Sequence, residues 1–347
     1  MTPLEEHLIA RIEANGPISV AEYMDLCLSH PKHGYYMNRD PLGADGDFTT
    51  APEISQMFGE MIALCISAVW AVAGGHQWKI VELGPGRGTL MSDLLRTTGL
   101  IGFDPDVWFV ETSPVLREAQ AGQVPDAHWV GRLSEVPEGP ALILANEFFD
   151  ALPVRQYIHA PEGWRERQVG LIDGKLGWGL SAPIRVDHFG TWFETSPSGN
   201  RIMGEIASRI GSHGGAALIM DYGYRAADRP DGPTLQAVKS HRKVDALETP
   251  GEADLTWLVD FDSAATSMLG LGVYQADQGT FLARLGIGQR AAALAEANPD
   301  QADAVADALE RLTSPDQMGT LFKVLAITPT GQPVPPGFET KPASLQI

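Results

Sequence analysis

Cysteine is nearly absent from this sequence. Two residues, Cys27 and Cys65, in a chain of 347 cannot build a disulfide framework, and no Cys/His spacing suits zinc. Both sit in apolar helical patterns, where a thiol behaves as a small core hydrophobe. Basic charge is scarce as well: 25 Lys and Arg stand against 44 Asp and Glu, for a net charge of −19. Nucleic-acid binding needs Lys and Arg that displace counterions from phosphates, so no nucleic-acid partner is expected. Anionic membrane surfaces are disfavoured on the same ground, whereas a basic substrate or partner segment would be attracted. Long hydrophobic runs are missing. The longest, residues 61–75, falls short of the roughly 18 residues of a spanning helix. The first residues, MTPLEEHLIARIEANG, place Glu5, Glu6 and Glu13 where secretory and transit leaders are basic, so a cytoplasmic protein without stable membrane insertion is expected. Neither HExxH nor GxSxG occurs, and no metal is expected.

What is present is ample apolar material, 44% of the chain, enough for two domains or for one α/β domain with insertions. Residues 3–14 and 19–29 read as amphipathic helices divided by Gly16-Pro17, with Ser19 as an N-cap. A polar, glycine-containing loop follows at 30–53, then a helix that Pro52 starts and that runs to about Ala73. From there strands alternate with helices: strands at 78–83, 107–111 and 141–146, helices at about 87–97 and 114–121. Nearly continuous apolar strands in such an alternation predict a parallel sheet covered on both faces, a doubly wound α/β core. Residues 153–193 break the rhythm with three strand patterns, two of them joined by Asp173-Gly174, and predict an antiparallel β insertion. A helix near 199–210 and a strand at 216–222 resume it. Residues 262–313 read as mostly helical and 321–328 as a last strand. The tail, 329–347, holds five prolines and reads as extended or disordered.

The sharpest motif is VELGPGRGTLMSDLLR, residues 81–96. An apolar strand ends at Glu82-Leu83, and a turn through Gly84, Pro85, Gly86, Gly88 and Thr89 opens a helix. Glycines at those positions permit a tight turn and close approach of a ligand to the backbone. The spacing is GxGxG; Thr89 occupies the place of the last glycine in the dinucleotide pattern, and no Lys-Ser/Thr follows as a phosphate loop would require. Glu82 would repel a pyrophosphate but suits a cofactor with a cationic end, which is the S-adenosyl-L-methionine pattern. Glu111 ends the next strand, 23 residues past Gly88, where a carboxylate can accept both ribose hydroxyls. The third strand ends ANEFFDALPVRQ, placing Asn146, Glu147 and Asp150 at the carboxyl end of the sheet. Glu147 is the better acceptor-orienting candidate; Asp150 also reads as a helix cap, and Phe148 and Phe149 read as core or as walls of the site. Asp221-Tyr222-Gly223-Tyr224 reads equally as a functional segment or a turn.

HGYYMNRDPLGADGDFTTAPEISQMFGE (33–60), VELGPGRGTL (81–90), NEFFDALPVRQ (146–156), DYGY (221–224), GEADLTWLVDF (251–261) and MGTLFKVLAI (318–327) together resemble the MidA family of class I S-adenosylmethionine-dependent methyltransferases. The resemblance runs in order from about residue 17 to 328. It implies a Rossmann-like methyltransferase domain over 76–328, carrying the β insertion, behind an N-terminal helical region over 1–75. Its implied activity is methyl transfer to arginine, giving symmetric dimethylarginine on a core subunit of respiratory complex I. The implied cofactor is S-adenosyl-L-methionine, held by Glu82, Gly84, Pro85, Gly86, Gly88, Thr89, Glu111 and Asn146. Glu147 is the first catalytic candidate, with Asp150 and Asp47 behind it, and the loop through Gly43 and Gly46 is a candidate lid. One block departs from the family pattern: Trp257 and Leu258 replace a small residue and a histidine, so no histidine role is expected there. Methyl transfer to another protein side chain or a small molecule, and a cofactor-binding assembly chaperone without catalysis, stand as the alternatives.

Overall fold

A computed structural model describes residues 2–37, 49–75, 77–266, 268 and 270–339. Asp47, Gly43 and Gly46 lie outside the described residues. The chain divides into two compact units: Met1–Phe48 with Phe149–Arg201 and Ala227–Leu258, and Thr49–Phe148 with Ile202–Ala226 and Val259–Ile347.

In the first unit the helices Pro3–Asn15 and Val20–Ser29 begin where their caps dictate. Thr2 and Glu5 form a reciprocal capping box, and Ser19 accepts from the Glu22 N–H. The expected antiparallel insertion is present as strands Arg155–Ala160, Gly163–Ile172 and Lys175–Leu180. Asp173 and Gly174 turn the last two with φ of 51° and 77°, the doubly positive geometry of a two-residue hairpin. Ile18–Ser19 pairs antiparallel onto Gly163–Ile172, and Trp192–Thr195 onto Arg155–Ala160. A further small sheet of Gln236–Lys239, Arg242–Val244 and Asp254–Thr256 completes this unit.

The second unit carries the doubly wound sheet. Its strands are β1 (Lys79–Leu83), β2 (Asp106–Val110), β3 (His128–Val130), β4 (Ala141–Asn146), β5 (Gly215–Tyr224), β6 (Leu271–Asp277) and β7 (Phe322–Pro329). They lie in the order β3-β2-β1-β4-β5-β7-β6, and Val259–Asp260 pairs beside β5. All pairs from β3 to β5 are parallel, whereas β7 runs antiparallel to both β5 and β6. The order reverses between β1 and β4, and in such sheets the crevice beyond the carboxyl ends at that reversal takes the ligand. Every residue of β4 is buried, as expected for a central strand covered on both faces.

The helices of this unit that bear on the site are α1 (Ala51–Ile54), α2 (Gln56–Val72), α3 (Thr89–Gly99), α4 (Pro114–Gln123) and α5 (Ala302–Thr313). Ser55 interrupts the single helix that the periodicity predicts over 52–73, so α1 and α2 are separate, and Ser55 caps α2. Met57, Phe58, Met61, Ile62 and Cys65 of α2 pack with Leu90, Met91 and Leu94 of α3 in one apolar cluster over the sheet.

Residues 262–313 are mostly helices, with β6 lying among them. One expectation changes. The tail as far as residue 339 is packed: the Cys65 thiol donates to the Pro336 carbonyl at 3.4 Å, and Phe338 lies against Phe281 with ring centres 5.1 Å apart.

Gly215 shows how tightly β5 joins β4. Its φ is 103°, and a Cβ there would lie 2.0 Å from the Ala141 carbonyl oxygen, a clash with backbone that no rotamer relieves. Gly215→Ala should therefore destabilise this unit by about 2–4 kcal/mol. Thermal unfolding monitored by circular dichroism checks this; an unchanged midpoint would contradict the close approach.

Candidate active site

The sheet register decides which residues meet at its carboxyl edge. Leu83 lies beside Val110 and beside Ala145, and Asn146 beside Met220. Gly84, Glu111 and Asn146 therefore leave three neighbouring strands at one level. Backbone hydrogen bonds carry the ladder one step further: Gly84 N–H donates to Val110, Glu111 N–H to Val130 and Glu147 N–H to Met220, at 3.0, 3.0 and 2.9 Å.

After β1 the chain turns through Gly84, Gly86 and Gly88 with φ of 60°, 55° and 87°, all in the left-handed region that favours glycine. The Gly88 N–H closes the turn on the Pro85 carbonyl at 2.8 Å, and α3 starts at Thr89. A Cβ on Gly84 would meet the Phe148 ring at 2.7 Å, so that ring packs directly on the turn. Gln120 of α4, fully buried, ties the turn to the next strand. Its side-chain N–H donates to the Gly86 carbonyl at 2.7 Å and to Glu111 at 3.3 Å, while its carbonyl accepts from the Trp129 indole.

Four carboxylates of this unit stand around the turn and the neighbouring strand ends, each held differently. Glu82, 2% exposed, has its pKa pushed up to about 8 by burial, and among the described residues its Oε2 has no hydrogen-bond partner. Glu111 Oε1 accepts the Thr112 and Ser113 N–H groups, both at 2.7 Å. Burial raises its pKa, and these donors, Gln120 and Arg117 oppose the rise. Glu53, on α1, accepts the Thr89 hydroxyl. Glu147 is a non-glycine residue with φ of 51°, a costly conformation that needs support. Its Oε1 accepts the Ala51 N–H and the Asn146 amide at 3.1 Å each, and its Oε2 accepts the Tyr222 hydroxyl at 2.7 Å. Burial of the carboxyl group raises its pKa, while Tyr222, Ala51, Asn146 and the Arg311 charge lower it. The Asn146 Oδ1 is buried without a donor among the described residues.

The structure thus gathers Glu82, the Gly84–Thr89 turn, Glu111, Asn146 and Glu147 in one unit. Asp150 belongs to the first unit and is 3% exposed there. Its charge acts on the half-buried Tyr36, whose hydroxyl donates to Asp254 at 2.8 Å. Phe149 is buried in that unit as well. Two supporting residues, Gln120 and Glu53, escape sequence reasoning, whereas Asp221 and Tyr222 lie in the segment that reads equally as functional or as a turn. Asp221, with no exposed surface, takes the Phe148 and Tyr222 N–H groups on its carboxyl oxygens. A faint signal existed only for Gln120, a polar residue on the apolar face of an amphipathic helix.

Chemically this is a cradle for a cation bearing hydroxyls. The glycine turn permits close backbone approach, Glu111 offers acceptor capacity on Oε2, and the orphaned Glu82 and Asn146 oxygens await donors. That acceptor set fits S-adenosyl-L-methionine, whose amine and sulfur carry positive charge. It would not suit a pyrophosphate.

Comparison with known proteins agrees. Residues 61–274 match the family described as "Putative S-adenosyl-L-methionine-dependent methyltransferase". The chain is 36% identical to the mitochondrial protein arginine methyltransferase NDUFAF7 of Bos taurus, over 95% of this chain and 84% of that one. It is 38% identical to the Drosophila melanogaster homologue, over 94% and 85%. A Burkholderia thailandensis structure bound to S-adenosyl-homocysteine superposes with a TM-score of 0.84 at 25% identity, covering 96% of this chain and 93% of that one.

The buried Glu82 yields a pH signature. Its folded pKa of about 8 exceeds the ordinary 4.5, so between those values the folded protein holds a proton that the unfolded chain releases, and stability falls as pH rises through that window. Glu82→Gln should remove this dependence, gaining on the order of 3 kcal/mol relative to wild type between pH 5 and pH 8. Denaturant titrations of the ligand-free proteins at both pH values measure it, and a difference that stays flat would reject a protonated Glu82.

Proposed function

The chain belongs to this family of S-adenosyl-L-methionine-dependent methyltransferases, and from that premise we propose that its acceptor is a protein arginine, dimethylated symmetrically on a core subunit of respiratory complex I. The observation that carries the acceptor reading is Glu147: a carboxyl group at the carboxyl edge of the sheet, fixed by three donors beside the cofactor cradle. The relatives named protein arginine methyltransferase support it. So does the net charge of −19, which draws basic segments.

Bound S-adenosyl-L-methionine supplies an electrophilic methyl group on a cationic sulfur. Glu82 would face its cationic end, the Gly84–Thr89 turn would admit its chain, Glu111 would take the ribose hydroxyls and Asn146 would close the edge. The task left to the protein is the acceptor. A guanidinium is protonated at neutral pH, with a pKa above about 12, so its nitrogens are poor nucleophiles. Glu147, accepting one guanidinium N–H, draws positive charge toward the nitrogen it binds and leaves electron density on the nitrogen that faces the methyl group. It also fixes the approach direction that an in-line displacement demands. Asp150 and Asp47 are secondary carboxylates in this proposal.

The relatives' names place them in mitochondria. No described helix of this chain is long and apolar enough to cross a membrane. A cytoplasmic location is part of the proposal, read by fractionating cells that express the tagged full-length chain.

The test uses methyl-labelled cofactor with isolated complex I core subunits, followed by acid hydrolysis and separation of the methylated amino acids. Label in symmetric dimethylarginine is the expected result. Glu147→Gln should keep cofactor affinity within about twofold while transfer falls by about 100-fold or more. Label in another amino acid rejects the arginine acceptor, and cofactor binding without transfer to any acceptor favours a non-catalytic assembly role.

A further inference from the structure

A carboxylate has about four lone-pair directions, and in Glu147 three of them are spoken for. Both directions on Oε1 are taken, by the Ala51 N–H and the Asn146 amide, while Oε2 receives the Tyr222 hydroxyl at 2.7 Å. Among the described residues one direction remains, on Oε2. The backbone beneath the carboxyl group is equally constrained, because Glu147 N–H bonds Met220 and Phe148 N–H bonds Asp221 Oδ2. Both of those acceptors sit on β5, as does Tyr222. The Tyr222 ring is itself seated, packing on its register partner Phe322 with ring centres 4.3 Å apart.

We infer that Tyr222 is a positioning residue: its hydroxyl leaves Glu147, among the described residues, a single acceptor direction to receive the substrate. The inference rests on the reading of Glu147 as the group that binds the acceptor, and it adds the stereochemistry. With one direction open, Glu147 takes a single guanidinium N–H end-on rather than a two-pronged pair, so the remaining nitrogens stay free to reach the methyl group.

The charged groups on the elements around Glu147 make the hydroxyl's effect separable. From α5, Arg311 favours the ionised form. From α1, Glu53 is engaged by Thr89, and from β5, Asp221 is engaged by two backbone N–H groups. From β7, Lys323 pairs with Asp277 at 3.2 Å. Burial of the carboxyl group acts against all the stabilising contacts, so removing one strong donor moves the balance toward the protonated form.

Tyr222→Phe keeps the ring on Phe322 and deletes only the donor. Carbon-13 titration of the full chain labelled at glutamate carboxyl carbons reads the outcome, with the Glu147 signal identified by its absence in Glu147→Gln. The Glu147 midpoint should rise by about one pH unit, a tenfold change in proton affinity. Cofactor affinity by calorimetry should stay within about twofold. Transfer to the complex I core subunits should fall about tenfold on the acidic limb of the profile and recover as pH rises, that limb being displaced by the same amount. Phe322→Leu, which loosens the ring but keeps the hydroxyl, should leave the midpoint in place. An unmoved midpoint in Tyr222→Phe, an equal shift in Phe322→Leu, or a transfer loss uniform across pH would each overturn the inference. Failure of the wild-type chain to methylate arginine would instead strike the acceptor reading, since the titration needs no substrate.

Discussion

The left-handed turn at Glu147 is the constraint around which the site is arranged. A residue with a Cβ at φ of 51° carries strain of about 1–3 kcal/mol and persists only where its surroundings over-determine it. Here they do: Met220, Asp221 and Tyr222 hold the turn from β5, Ala51 from α1 and Asn146 from the preceding position. Without the parallel register of β4 and β5 none of the first three would face the turn. Moreover, Phe148 follows at once and packs its ring on Gly84, so the geometry of the β4 end and that of the glycine turn are mutually dependent.

Charge is handled in the same economical way. Glu82, Glu111 and Glu147 all have pKa values raised by burial, so the ligand-free edge of the sheet resists accumulating negative charge. The three differ in what opposes burial. Glu147 has three donors and a distant cation, Glu111 has backbone N–H groups, and Glu82 has nothing that counters it. The least supported carboxyl group is the one with an unpartnered oxygen, so it gains most from a cationic ligand. A site of this kind selects its cofactor by rewarding positive charge where no protein group supplies it.

Much of the fold was legible in the sequence because its signals are local. The apolar runs of β1 and β4, the cap Ser19 and the Asp173-Gly174 hairpin each act within a few residues, and the structure carries them as expected. What was not legible lacks such a signal. Ser240 and His241 turn the hairpin between Gln236–Lys239 and Arg242–Val244 with φ of 50° and 59°, yet neither is a residue that announces a doubly positive turn. Strand β6 includes Gln275 and Asp277 and sits between helices; its place is set by pairing with β7 rather than by its own periodicity.

The site divides along the same line. Gly84, Gly86, Gly88 and Glu111 are readable because turn chemistry and strand ends lie next to one another in sequence. Gln120 and Glu53 are unreadable because each acts on a residue far along the chain, Gly86 and Thr89 respectively, and Tyr222, readable only as part of a segment that is either functional or a turn, owes its role to the equally distant Glu147. Trp257 shows how a departure from a family pattern is absorbed. Its indole N–H donates to the Leu152 carbonyl at 3.0 Å, and its backbone N–H donates to the Asp150 carbonyl at 3.2 Å. Those carbonyls belong to the segment that follows Glu147 in the chain, so the large side chain at 257 braces that segment within its own unit. A small residue there would offer no side-chain N–H. The substitution is therefore a change in how the turn's downstream chain is anchored, and the chemistry at Glu147 is built from groups that Trp257 does not supply.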